Sequence, residues 1–78
     1  QILRVYIEKK GRGGKTASVL KGFVGTDEDR NDLSKMIKAN CGVGGSVKEG
    51  EIIIQGDQRD KIVKLLAAKN YGIKKAGG

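Results

Sequence analysis

Leu3, Val5 and Ile7 alternate with Arg4, Tyr6 and Glu8, a period of two that marks a strand with one buried face. After the polar run Lys9 to Lys15, the stretch Thr16 to Val24 is again rich in β-branched and apolar residues. It reads as a second strand, with its facing left ambiguous by the adjacent Val19 and Leu20. Glycines in the intervening run supply the positive φ that a tight reversal needs, so the first third is expected to be a hairpin with a basic tip. Thr26 then precedes Asp27, Glu28 and Asp29, a hydroxyl cap followed by acids over a first turn. Leu33, Met36, Ile37 and Cys41 follow at helical spacing and Gly42 closes the run, which predicts a helix from about Asp27 to Asn40.

Ser46 to Lys48 and Glu51 to Gln55 flank Glu49-Gly50 and predict a second hairpin. Three consecutive isoleucines, Ile52 to Ile54, suggest that its second strand is buried on both sides. Asp57 is the expected cap of the next helix, with Ile62, Val63, Leu65 and Leu66 as its apolar stripe and Gly72 as its stop. Ile73 to Ala76 is long enough for a closing strand, and Gly77-Gly78 is expected to fray. The predicted fold is a two-layer α/β (α+β) domain of order β-β-α-β-β-α-β. Without its first strand it is the split β-α-β-β-α-β, or ferredoxin-like, arrangement, in which two helices cover one sheet face.

Seventy-eight residues hold one such domain, residues 1–78. The chain opens at Gln1 without Met or a signal-peptide pattern, so a fragment of a longer protein with an N-terminal extension is the expectation. The longest apolar run, Leu65 to Ala68, is far short of the roughly 20 residues of a membrane span, so no membrane partner is expected. Cys41 is the only cysteine, which excludes an intramolecular disulfide and suits a reducing compartment, read as the cytosol. Sixteen Lys and Arg against nine Asp and Glu give a net charge of +7. That excess points to an anionic partner, nucleic acid first. It is uneven: residues 1–25 carry net +5, 26–46 net −1 and 47–78 net +3.

Motifs for chemistry fail on spacing. Gly14-Lys15-Thr16 resembles the end of a phosphate-binding loop, but the required earlier glycine position holds Lys9 and a strand, not a helix, follows. Gly42, Gly44 and Gly45 lack the third glycine of a dinucleotide fingerprint, because Val47 stands there. Asp27, Asp29 and Asn31 open like a calcium loop, yet Asp32 replaces its glycine and Lys38 its final glutamate. With no histidine and Cys41 on an apolar stripe, neither a nucleophile with its base nor a multi-ligand metal site is evident. No cofactor is expected.

The informative segment is Lys9-Lys10-Gly11-Arg12-Gly13-Gly14-Lys15, four cations and three glycines at a hairpin tip. Glycines let the backbone approach phosphates, and Arg and Lys supply forked and point donors. Aromatic residues at 4% leave almost no stacking platform for single-stranded bases. The plain alternative is a solvated turn.

The stretches KGRGGKTASVLKGF, CGVGGSVKEG and above all EIIIQGDQRDKI at 51–62 resemble the family of eukaryotic translation initiation factor one, closest to bacterial and archaeal YciH-type members. The resemblance spans essentially the whole chain. It implies a non-catalytic factor that binds the small ribosomal subunit near the P site, contacts ribosomal RNA, and influences start-codon or initiator-tRNA selection. By position, the family's RNA contacts fall on Lys9, Lys10, Arg12 and Lys15 in the loop and on Arg30, Lys35 and Lys38 in the first helix. Arg59 is a further candidate. A monomer is expected. The rival readings are a protein-interaction module whose sheet face or first helix docks a protein, and a nucleotide-using enzyme built on Gly14-Lys15-Thr16.

Overall fold

The computed structural model describes residues 2–10 and 15–76. The elements follow the expected order: β1 (Ile2–Lys10), β2 (Lys15–Lys21), α1 (Asp27–Cys41), β3 (Gly45–Lys48), β4 (Glu51–Gln55), α2 (Arg59–Ala68) and β5 (Gly72–Lys75). The five strands form one mixed sheet ordered β3-β4-β2-β1-β5. β1 runs antiparallel to β2 and parallel to β5. The additional N-terminal strand is therefore inserted within the split arrangement, between β2 and β5.

Both helices lie on one side of the sheet. Leu3 and Val5 of β1, Leu20 of β2, and Ile52 and Ile54 of β4 meet Leu33 and Ile37 of α1 and Ile62 and Leu66 of α2, all at most 4% exposed. Burying each such side chain is worth about 1.5–3 kcal/mol, so this single layer of aliphatics is the main source of stability. β4 corrects one expectation: Ile52 and Ile54 are buried but Ile53 between them is only half-buried. The helices cover one face, and the alternation of a strand sends the middle isoleucine to the other.

Helix α1 begins as its acids and hydroxyl dictate, with Thr26 Oγ1 accepting the Asp29 N–H at 3.0 Å. It ends with the Gly42 N–H donated to the Lys38 carbonyl at 2.9 Å. Helix α2 departs from the expected cap. Gln58 takes the cap position without a side-chain bond, while Asp57 is drawn to Arg59, whose Nε donates to it at 3.0 Å. The same carboxylate also accepts the Arg59 backbone N–H, at a longer 3.4 Å, so Asp57 keeps a weak bond to the first residue of α2 beside its stronger charged one. Nor is Gly72 the stop: Asn70 takes the left-handed conformation at φ 66°, and the Asn70 and Tyr71 N–H groups each donate at 3.0 Å to Ala67 and Leu66 carbonyls. Asn is the second choice after Gly at such ends, which frees Gly72 to begin β5. β2 also ends early, at Lys21 rather than Val24, because Gly22 at φ 92° turns the chain out of the sheet. The Glu49-Gly50 turn has positive φ at both residues, 52° and 78°, the two-residue geometry that matches strand twist.

Candidate nucleic-acid interface

The β1–β2 hairpin closes on the pair Lys10↔Lys15, preceded by Lys9↔Thr16. Arg12 and the glycines around it lie outside the described residues. Lys9 and Lys15 are exposed, and neither forms an ion pair or side-chain hydrogen bond among the described residues. A shallow cleft of about 300 Å³ opens beside them, lined by Lys15, Thr16 and Gln55.

Two other segments come to this same end of the sheet. The Gln55 N–H donates to the Gly44 carbonyl at 3.0 Å, which places the C-terminal end of α1, and with it Lys38, beside the end of β4. The turn before α2 is fastened to β2 by three bonds. The Gly56 N–H donates to the Thr16 carbonyl at 2.8 Å. The fully buried Ser18 hydroxyl donates to the Gly56 carbonyl at 2.8 Å and accepts the Gln58 N–H at 2.8 Å. A small hydroxyl is the only side chain of this size that can serve as donor and acceptor at once. Sequence patterning reads Ser18 as one more residue in an apolar stretch, and only the register Ser18↔Ile54 brings it under the turn.

Arg59 is held at this end by a forked pair, Nε to Asp57 Oδ1 at 3.0 Å and Nη2 to Asp57 Oδ2 at 3.1 Å. The Arg59 side-chain hydrogen bonds hold the Asp57 carboxyl below its ordinary range, and Asp57 raises the guanidinium in return. Asp60 is similarly occupied by Lys75 at 2.9 Å. Asp57 and Asp60 are thus spent on structural partners, and Glu8, half-buried on β1 opposite Ala17, is the carboxylate left beside the hairpin cations.

The helix candidates are split by the fold. Lys35 is exposed at mid-helix and Lys38 half-buried in the last turn. Arg30 sits two turns earlier, about 12 Å away along the axis at 1.5 Å per residue. It is paired with Asp27 at 2.7 Å, lies 5.5 Å from the centre of the Phe23 ring, and has a side chain 15% exposed. It belongs to the opposite end of the molecule from the hairpin tip, and the structure does not bring it together with the loop cations.

Cys41 is half-buried, and burial pushes its thiol above the ordinary range against a smaller opposing effect of Lys61. That environment suits packing and not nucleophilic attack. Among the described residues, no group of three or more His, Cys, Asp or Glu could hold a metal ion, and no helix is long and apolar enough to cross a membrane.

Comparison with known proteins supplies the family. Residues 1–74 match the family model described as translation initiation factor SUI1. An uncharacterized protein YciH of Salmonella typhimurium is 44% identical over 77 residues, covering 99% of this chain and 71% of its own. The protein translation factor SUI1 homolog of Thermococcus onnurineus is 46% identical over 67 residues, covering 86% of this chain and 67% of its own. YciH of Escherichia coli K12 is 40% identical over 77 residues, 99% of this chain and 71% of its own. This chain is a member of the SUI1 family of translation initiation factors.

Proposed function

We propose that the domain acts in translation initiation by binding RNA of the small ribosomal subunit through its hairpin end, without catalysis, and thereby biases start-codon and initiator-tRNA selection. The observation that carries this reading is the clustering of cations at the hairpin end, where Lys9 and Lys15 are exposed with no acid partner among the described residues and Lys10 pairs with Lys15 across the strands, whereas Arg30, Arg59 and Lys75 are consumed by Asp27, Asp57 and Asp60. Lys9, Lys10, Arg12 and Lys15 supply the phosphate contacts, and Lys38, at the same end, adds to them. Lys35 lies along the route, and Arg59 presents its remaining donors beside the tip. Arg30 is assigned to the far end, where its first role is to join α1 to the segment carrying Phe23. The Thermococcus relative, a protein translation factor SUI1 homolog, supports the setting.

The mechanism is occupancy. A charged domain seated on RNA excludes other occupants of that volume, and its differential stability in correct and incorrect complexes sets the selection. Cosedimentation with purified small subunits, without added nucleotide, tests the binding. The domain should favour small subunits over joined ribosomes, and hairpin variants should lose occupancy and start-site discrimination together. Failure to bind small subunits at 50 mM salt would overturn the proposal.

One observation favours a protein-docking alternative. A cleft of about 360 Å³ at the far end has an apolar floor of Phe23, Val24, Leu33, Met36 and Tyr71, with Val24 72% exposed, and is edged by Asp29, Asp32 and Lys69. Capture of a protein partner that survives removal of the hairpin cations would move the function to this cleft.

A further inference from the structure

Strand register places a line of charge on the sheet face that the helices leave open. Leu3 and Val5 point into the core, so Arg4 between them lies on the open face. Arg4 is paired directly with Lys21 on β2 and directly with Lys74 on β5. Lys21 lies 3.6 Å from Glu51 on β4, and Glu51 is paired with Lys48 on β3. One row therefore crosses all five strands in the order Lys48, Glu51, Lys21, Arg4, Lys74. At about 4.8 Å per strand it is roughly 19 Å long.

Four of its five members are cations, and the compensation is one-sided. Glu51 stands between Lys48 and Lys21, and Lys21 also lies 5.0 Å from the centre of the Tyr6 ring. The side chains of Arg4 and Lys74 are exposed and have no hydrogen-bond or ion-pair partner among the described residues. Like charges directly opposite one another destabilise a sheet, so this end of the row is held at a cost to the free protein. An anion laid along the row removes that cost.

We propose that the open sheet face is a second RNA contact, in which the phosphate backbone crosses the strands along Lys21, Arg4 and Lys74. The inference rests on the RNA-binding reading above and extends it from the hairpin end to the opposite half of the same face. Two features favour a polyanion over a protein. A protein interface needs an exposed apolar centre with anchors, yet here Val19 and Ala17 are buried, Tyr6 and Ile53 are half-covered between charged neighbours, and the exposed Ile2 lies at the start of β1, at the margin of the face and not at its centre. A repeating charge is also what a row of cations, as opposed to a single site, can neutralise. Lys15 alternates with Ala17, Val19 and Lys21 along β2, so one RNA segment can meet both the hairpin and the row, passing Glu8, which is paired with Ala17 on the same face.

The test is the double variant Arg4→Gln, Lys74→Gln, titrated against isolated small ribosomal subunits between 50 and 200 mM salt, beside the double variant Lys9→Ala, Lys15→Ala. Two lost phosphate contacts flatten the logarithmic salt slope by about 1.5, so affinity falls about eightfold less over that range than for the unaltered protein. The same substitutions should raise the melting temperature of the free protein at low salt, because repulsion between paired strands is relieved. Weaker binding with a more stable fold is a combination that a merely structural role does not produce. If the row variant keeps the full slope while the hairpin variant flattens it, the second contact is wrong and the hairpin reading stands. If neither variant changes the slope, both fail. If the row instead governs binding to anionic lipid vesicles or self-association and leaves subunit binding unaltered, the assignment to RNA is overturned.

Discussion

Ser18 and Ser34 are both buried, at 0% and 2% exposure, and replacing each with Ala deletes the same hydroxyl, yet opposite outcomes are expected. Ser18 Oγ holds the Gly56 carbonyl and the Gln58 N–H, each at 2.8 Å. Ser18→Ala strands one acceptor and one donor. A fully buried polar group left unpaired costs about 1–3 kcal/mol. Because the turn is partly open to water, the sum is set near 2 kcal/mol, a substantial part of the 5–15 kcal/mol typical of a domain. Ser34 Oγ is buried with no hydrogen-bond partner among the described residues, so Ser34→Ala removes an unpaired hydroxyl and gains about 0.5 kcal/mol of helix propensity. Urea unfolding with a common m-value should place the two variants on opposite sides of the unaltered protein, separated by about 2.5 kcal/mol. Equal losses for both, or a loss below about 0.5 kcal/mol for Ser18→Ala, would refute the assignment of Ser18 as the fastening of the α2 turn.

Ile54→Ala should cost about 2–5 kcal/mol in the same assay, because Ile54 is fully buried between sheet and helices. Glu49→Asn should stabilise by about 0.5–1 kcal/mol, since Glu49 sits at φ 52° where Asn is better tolerated, and an unchanged midpoint would contradict the turn geometry. Asp57 has a lowered carboxyl in the folded state, so its contribution to stability is complete above the ordinary carboxylate range near ~3.9 and fades as pH falls below it. Arg59→Gln should move the Asp57 titration upward in a carboxyl-resolved NMR experiment, and no movement would mean that the forked pair is absent in solution.

Period and capping chemistry made most elements legible. Leu3, Val5 and Ile7 announce a one-sided strand, and Thr26 with its following acids announces α1, because both signals are local. What the pattern does not encode is which strands become neighbours. The parallel pairing of Ile2 with Gly72 joins the two ends of the chain, and nothing near either residue reports it. The open-face row escapes sequence reading for the same reason: alternation turns Arg4 outward, but only register sets it against Lys21 and Lys74. At the candidate interface the loop cations were visible as a charge cluster. The division of the other cations into paired and unpaired was not, because the Arg59–Asp57 pairing and the placement of Arg30 at the far end depend on where helices start and how they lie on the sheet.

Phosphate contact by the hairpin is read most directly by the salt dependence of binding to isolated small ribosomal subunits. Each neutralised phosphate contributes about 0.7–0.9 to the logarithmic slope, so Lys9, Lys10, Arg12 and Lys15 by themselves contribute about −3 to −4, and binding should be at least roughly hundredfold weaker at 200 than at 50 mM salt, with contacts elsewhere on the domain steepening the slope further. Arg12→Ala with Lys15→Ala should flatten that slope by about two units while leaving the fold intact. Binding that is indifferent to salt, or a slope unchanged in the double variant, would contradict the account.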